Sequence, residues 1–180
     1  MKSLRTLNPT VVLIVLGLIS AAAYAAMVSL FPLSLVAGAS RPYDLEQLSR
    51  GREWAAGVYV VSLLLVFAAF AASFFIVERM RKPLPLVIGF GLLFALILFW
   101  IYPITAIDVF AYVLQGRLEV FHHLNPLAAP ASLAPQDPLL PFIGEWKDTP
   151  SPYGPIWAAI ATTVVRLGFT GTINGTLVFK

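Results

Sequence analysis

LPLVIGFGLLFALILFWIYPITAI, residues 84–107, runs for 24 positions with no ionisable side chain except Tyr102, and the next residue is Asp108. An uncharged run of that length suits hydrocarbon rather than a soluble core. A lone carboxylate where such a run meets water is expensive to place without a use. Asp108 is therefore the first candidate for chemistry.

The whole chain agrees with that run. Hydrophobic residues make up 59% of the 180 positions and charged residues 12%. Mean hydropathy is +0.84. A soluble domain carries about 25% charged residues, so the chain reads as an integral membrane protein. Its net charge of +3 comes from basic residues gathered at the edges of apolar runs, which gives a nucleic-acid partner no support. The absence of Cys rules out thiolate chemistry and disulfides within the chain. The two His are adjacent, His122 and His123, without metal-ligand spacing around them. A mechanism without metal or cofactor is the expectation.

Three spans are expected: one within Leu7–Ser40, then Trp54–Val77, then Leu84–Tyr102. Trp54, Trp100 and Tyr102 stand near their ends, where amphipathic rings favour the headgroup region. Ala68, Ala69, Ala71 and Ala72 would allow close helix packing. Lys2, Arg5, an apolar core and Ala23-Tyr24-Ala25 resemble a cleavable secretory signal. The apolar residues continue through Met27–Phe31, however, so an uncleaved span is favoured. Lys2, Arg5, Arg79, Arg81 and Lys82 fall in about 16 residues, whereas Arg41, Arg50, Arg52, Arg117 and Lys147 are spread over about 69. That density places the N-terminus in the cytoplasm and residues 103–155 outside a plasma membrane.

Towards the C-terminus, Arg166 interrupts an apolar stretch. One span over 156–179 would bury it at a cost of several kcal/mol, so a short span ending near Arg166 is favoured. The expected layout is three transmembrane helices in 1–102, an external segment in 103–155, and a fourth span with the start of a fifth in 156–180. The fold class is an all-α, multi-pass helical bundle. Because a fifth apolar stretch is only beginning at Lys180, a fragment is expected, inactive alone unless a second polypeptide completes the bundle.

Within the external segment, 108–121 has no Pro and reads as an amphipathic helix. At about 100° per residue, Asp108, Tyr112, Gln115 and Glu119 share one narrow polar stripe. Val109, Val113 and Val120 form one apolar flank; Phe110, Leu114 and Phe121 form the other, with Arg117. Such a helix could lie on the membrane surface, flanks down. Capping of its own helix is the bland role for Asp108. From Asn125 onwards, eight of the chain's 14 Pro lie between Pro126 and Pro155, which predicts a semi-rigid loop without regular structure. Phe142, Trp146 and Tyr153 give that loop aromatic faces on which a sugar ring could stack.

The order Asp108-Val-Phe-Ala-Tyr112, Gln115-Gly-Arg117, Asn125-Pro, Ala134-Pro-Gln-Asp-Pro138, Trp146 and Ser151-Pro-Tyr-Gly-Pro-Ile-Trp157 resembles bacterial GT-C membrane glycosyltransferases. In particular it resembles the polyprenyl-phosphate-mannose-dependent alpha-mannosyltransferases. The resemblance covers about 105–160. It implies transfer of a hexose, mannose in that family, from a polyprenyl-phosphate donor to a glycan or lipid-glycan acceptor on the non-cytoplasmic face, with an acid as base. Asp108 matches that position, although the family's second adjacent acid is replaced here by Ile107.

A carboxylate at that place would take the acceptor's proton as its oxygen attacks C1. The leaving phosphate needs cationic donors, for which Arg117, His122 and His123 are the local candidates. Tyr112, Gln115, Asn125 and Tyr153 complete the expected substrate-binding set. Glu119 lies about 16 Å along the axis from Asp108, too far to share one glycosidic centre, and reads as structural. The competing readings are a non-catalytic transport or assembly subunit, and a lipid-modifying enzyme without sugar transfer.

Overall fold

The computed structural model describes residues 8–105 and 107–180. Lys2, Arg5 and Leu7, on which the signal reading, the cytoplasmic N-terminus and the start of the first span partly rest, lie outside them. The described residues are all-α: α1 (Pro9–Leu30), α2 (Leu45–Ser49), α3 (Glu53–Val77), α4 (Leu84–Leu98), α5 (Asp108–His122), α6 (Pro155–Arg166) and α7 (Thr172–Val178), with four 3-10 turns. They form two compact units, one of residues 8–32 and 49–101, the other of 33–48, 102–105 and 107–180.

In the first unit, α1 and α3 are long and apolar enough to cross a membrane by length and composition. α1 starts cleanly because Asn8 accepts from the Thr10 N–H at 2.9 Å and Pro9 occupies the first helical position. Its buried stripe is Leu13, Gly17, Ser20, Ala23 and Met27, spaced by three and four residues. α3 presents Ala55, Tyr59, Ser62 and Ala69, and the Phe31 and Tyr59 rings meet edge to face at 5.8 Å. Elsewhere α3 is apolar outward as well, with Phe67, Phe70, Phe74 and Phe75 all more than half exposed. A helix that is apolar all round and mostly unburied suits lipid, not water. Of the four alanines expected to pack, only Ala69 is buried.

Two expected spans are shorter than the sequence suggests. The first helix ends at Leu30 because Pro32 cannot continue it and restricts Phe31, whose φ is −129°. Residues 33–38 form a 3-10 turn in the second unit. α4 has only 15 residues, about 22 Å of helix, because the chain turns at Trp100 and pairs Ile101 with Pro32 in an isolated bridge. Tyr102 is not an interfacial ring. It is 1% exposed and its hydroxyl accepts from the Tyr43 N–H at 2.8 Å.

In the second unit α5 is the central element. It packs on α6, α7 and the Pro-rich segment. Two glycines allow this closeness. A Cβ on Gly116 would stand 2.3 Å from the Ala161 carbonyl oxygen, and one on Gly175 2.8 Å from Val113. The apolar flanks of α5 are thus covered by protein over its first two turns, with Val109, Phe110, Val113 and Leu114 buried, while Phe121 at its end is 49% exposed. Over those turns this corrects the expectation of a helix lying flanks-down on lipid. The Pro-rich segment also has more regular structure than expected, with 3-10 turns at Ala131–Leu133, Leu140–Phe142 and Gly144–Asp148. Phe142 lies 5.0 Å from the Phe110 ring and fastens the segment to α5.

Candidate active site: the cleft beside Asp108

Asp108 is the first residue of α5, and Ile107 stands at the N-cap position with no side-chain capping bond. The capping role for Asp108 is therefore not used. Its carboxylate is exposed and takes part in no hydrogen bond or ion pair among the described residues. It borders a cleft of about 70 Å³ between α5 and the Pro-rich segment. Gln115, Trp146, Ser151 and Tyr153 contribute to the walls, while Leu114, Leu118 and Pro126 supply an apolar floor.

Tyr112 and Tyr153 belong to an aromatic cluster at the start of α6. Their hydroxyls are 3.3 Å apart, and the Tyr112 ring lies 4.9 Å from Trp157 and 5.8 Å from Phe179. The hydrogen bond with Tyr153, followed by desolvation and the charges of Tyr153 and Asp108, pushes the Tyr112 hydroxyl up to about 12. Tyr112 accordingly stays neutral at ordinary pH and can donate a proton in a hydrogen bond without acting as a base.

The expected phosphate ligands sit elsewhere. Arg117 Nε contacts both carboxylate oxygens of Asp137, at 3.1 and 2.9 Å, and Arg117 Nη1 donates to the Thr170 carbonyl at 3.0 Å. The guanidinium also lies over the Phe121 ring at 4.9 Å. His122 Nε2 is 2.8 Å from the same Asp137 carboxylate, and the Leu139 N–H donates to it at 2.9 Å. The Asp137 side chain is fully buried. Neither Arg117 nor His122 lines the Asp108 cleft. They are committed to a buried ionic knot joining α5, the Pro-rich segment and the α6–α7 turn.

His123 and Asn125 line a separate groove with Glu119, Thr162 and Arg166. Glu119 accepts from the Thr162 hydroxyl at 2.7 Å and lies 3.7 Å from Arg166, in keeping with its structural reading.

The cleft thus gathers Asp108, Gln115 and Tyr153, with Tyr112 behind Tyr153, and leaves out Arg117, His122, His123 and Asn125. Sequence reasoning missed Asp137, since Asp-Pro in a Pro-rich stretch signals a turn, not an ion-pair centre.

Comparison with known families gives one match. A family model described as alpha-(1->6)-mannopyranosyltransferase, N-terminal domain, matches residues 10–180. No curated protein and no solved structure matches the chain.

Proposed function

The chain belongs to the alpha-(1->6)-mannopyranosyltransferase family through its N-terminal domain, and on that premise we propose that the cleft beside Asp108 is where the acceptor hydroxyl is deprotonated. The family supports a glycosyltransferase that transfers mannose, and the two long apolar helices support a membrane setting for it. The donor in this reading is polyprenyl-phosphate-mannose and the acceptor a glycan or lipid-glycan. The acceptor oxygen attacks C1, the bond from C1 to the phosphate oxygen breaks, and the proton passes to the Asp108 carboxylate. The phosphate leaves on its lipid. Inversion at C1 follows from attack on the face opposite the leaving group.

One observation carries this assignment: Asp108 is exposed at the mouth of a cleft, uncapped and unpaired among its described neighbours. An acid serving structure would be bonded, as Asp137 is. Arg117 and His122 are bound to Asp137, so this mechanism does not assign the leaving phosphate to them. Tyr153 lines the same cleft as the carboxylate, and its hydroxyl is paired with that of Tyr112.

The reading also places 103–155 on the non-cytoplasmic side of a multi-pass plasma-membrane protein, with the N-terminus in the cytoplasm. It is supported by the density of basic residues at 79–82. The chain has no Cys, so single-cysteine labelling is clean. Thr149→Cys, at the exposed rim of the cleft, is expected to react with a membrane-impermeant maleimide in intact cells. Arg81→Cys should react only after permeabilisation. The opposite pattern would put Asp108 on the wrong side for a lipid-linked donor and end the proposal.

A further inference from the structure

Gln115 is the buried polar side chain of the cleft. It is 8% exposed, it lines the same space as Asp108 and Trp146, and its Oε1 has no hydrogen-bond partner among the described residues. Buried polar atoms nearly always have a partner, because an acceptor stripped of water and left unpaired is costly. Close by, Leu114, Leu118 and Pro126 provide only apolar lining. An apolar floor carrying one unpaired acceptor is complementary to a pyranose, which offers a C–H face together with hydroxyl donors.

We infer that Gln115 reads a mannosyl hydroxyl: its amide oxygen accepts the O–H of a sugar seated in the cleft, making it a specificity-determining residue for the transfer. The identity of the ligand as a mannosyl group rests on the function proposed above. Gln115 lies seven residues beyond Asp108, about 10 Å along the helix axis. Asp108 is exposed at the mouth while Gln115 is buried. The hydroxyl it reads is therefore not the one deprotonated at Asp108. The sugar spans from mouth to floor, with its reacting end at the carboxylate and a second hydroxyl fixed by the amide. A site built to bond a hydroxyl discriminates strongly against the analogue lacking it, since the protein acceptor is then left unpaired.

Ligand-observed NMR titration of the detergent-solubilised chain tests this without requiring turnover. The probes are methyl α-mannopyranoside and its monodeoxy analogues for the acceptor sugar, and mannosyl phosphate with its monodeoxy analogues for the donor sugar. The series that shows discrimination identifies which sugar is read. One monodeoxy compound is expected to bind the parental chain on the order of 10- to 100-fold more weakly than its parent sugar. Gln115→Met should bind the parent sugar equally weakly and lose the discrimination, while Gln115→Glu, which keeps an acceptor, should retain it. Should Gln115→Met fail to accumulate, Gln115→Asn, with its acceptor withdrawn by one methylene, carries the same outcomes. Unchanged discrimination in the variant, or equal binding of every analogue by the parental chain, overturns the inference. Because binding is read separately from transfer, either result leaves the role of Asp108 to its own test.

Discussion

Asp108→Asn is expected to lower mannosyl transfer by about 10²- to 10⁴-fold, the usual contribution of a positioned general base. Asparagine matches the shape and polarity of aspartate but has no basic oxygen for the acceptor's proton. Little else should change. The carboxylate makes no capping bond, so folding would lose mainly its favourable interaction with the α5 dipole, about 0.3–1 kcal/mol for an exposed group. Transfer from polyprenyl-phosphate-mannose should therefore collapse while the variant accumulates in membranes like the parent. Asp108→Glu, with the base displaced by a methylene, should fall between. Transfer by Asp108→Asn at the parental rate would remove the base.

Asp137→Ala is the second large effect, and it falls on stability. Its carboxylate is fully buried and receives Arg117, His122 and the Leu139 N–H. Removing one partner of a buried ion pair costs about 3–5 kcal/mol, because the remaining charge is left uncompensated. Arg117 and His122 keep 14% and 24% of their side-chain surface, so some rehydration is available and about 3 kcal/mol is expected. That corresponds to roughly a 100-fold larger population of chains with the Pro-rich segment detached. Limited proteolysis within 126–152 should accelerate by that factor when opening and closing are fast relative to cleavage. A variant cut at the parental rate would show that the knot does not hold the segment. Combining Asp137→Leu with Arg117→Met should recover part of the loss, since an apolar pair can replace a buried ionic one.

The limits of α5 were legible because they rest on local chemistry: the helix begins at the first charge after an uncharged run, and 108–121 contains no Pro. The crossing-length helices were legible for the same reason, being long and apolar, although Pro32 and the turn at Trp100 shortened what hydropathy alone extended. The surroundings of α5 were not legible. A helical wheel groups Asp108, Tyr112, Gln115 and Glu119 on one stripe but does not reveal what covers it. In the folded chain Asp108 is exposed, Gln115 is buried, and Glu119 is bonded to α6. Gly116 carries no such signal in the sequence, yet it is where the Ala161 backbone of α6 comes up against α5. Arg117 and His122 looked like phosphate ligands because their partner is 15 to 20 positions away in a segment without periodicity. Pairings of that range depend on how the Pro-rich segment returns to the helix, which no local pattern encodes.

Photo-crosslinking with a polyprenyl-phosphate-mannose analogue carrying a diazirine on the sugar, followed by peptide mapping, tests the central assignment most directly. Labels are expected on α5 between Asp108 and Gln115 and on the facing stretch from Trp146 to Tyr153, and excess unmodified donor should suppress them. Competable labelling confined to peptides outside 108–157 would place the sugar elsewhere and contradict the assignment of the transfer site to the Asp108 cleft.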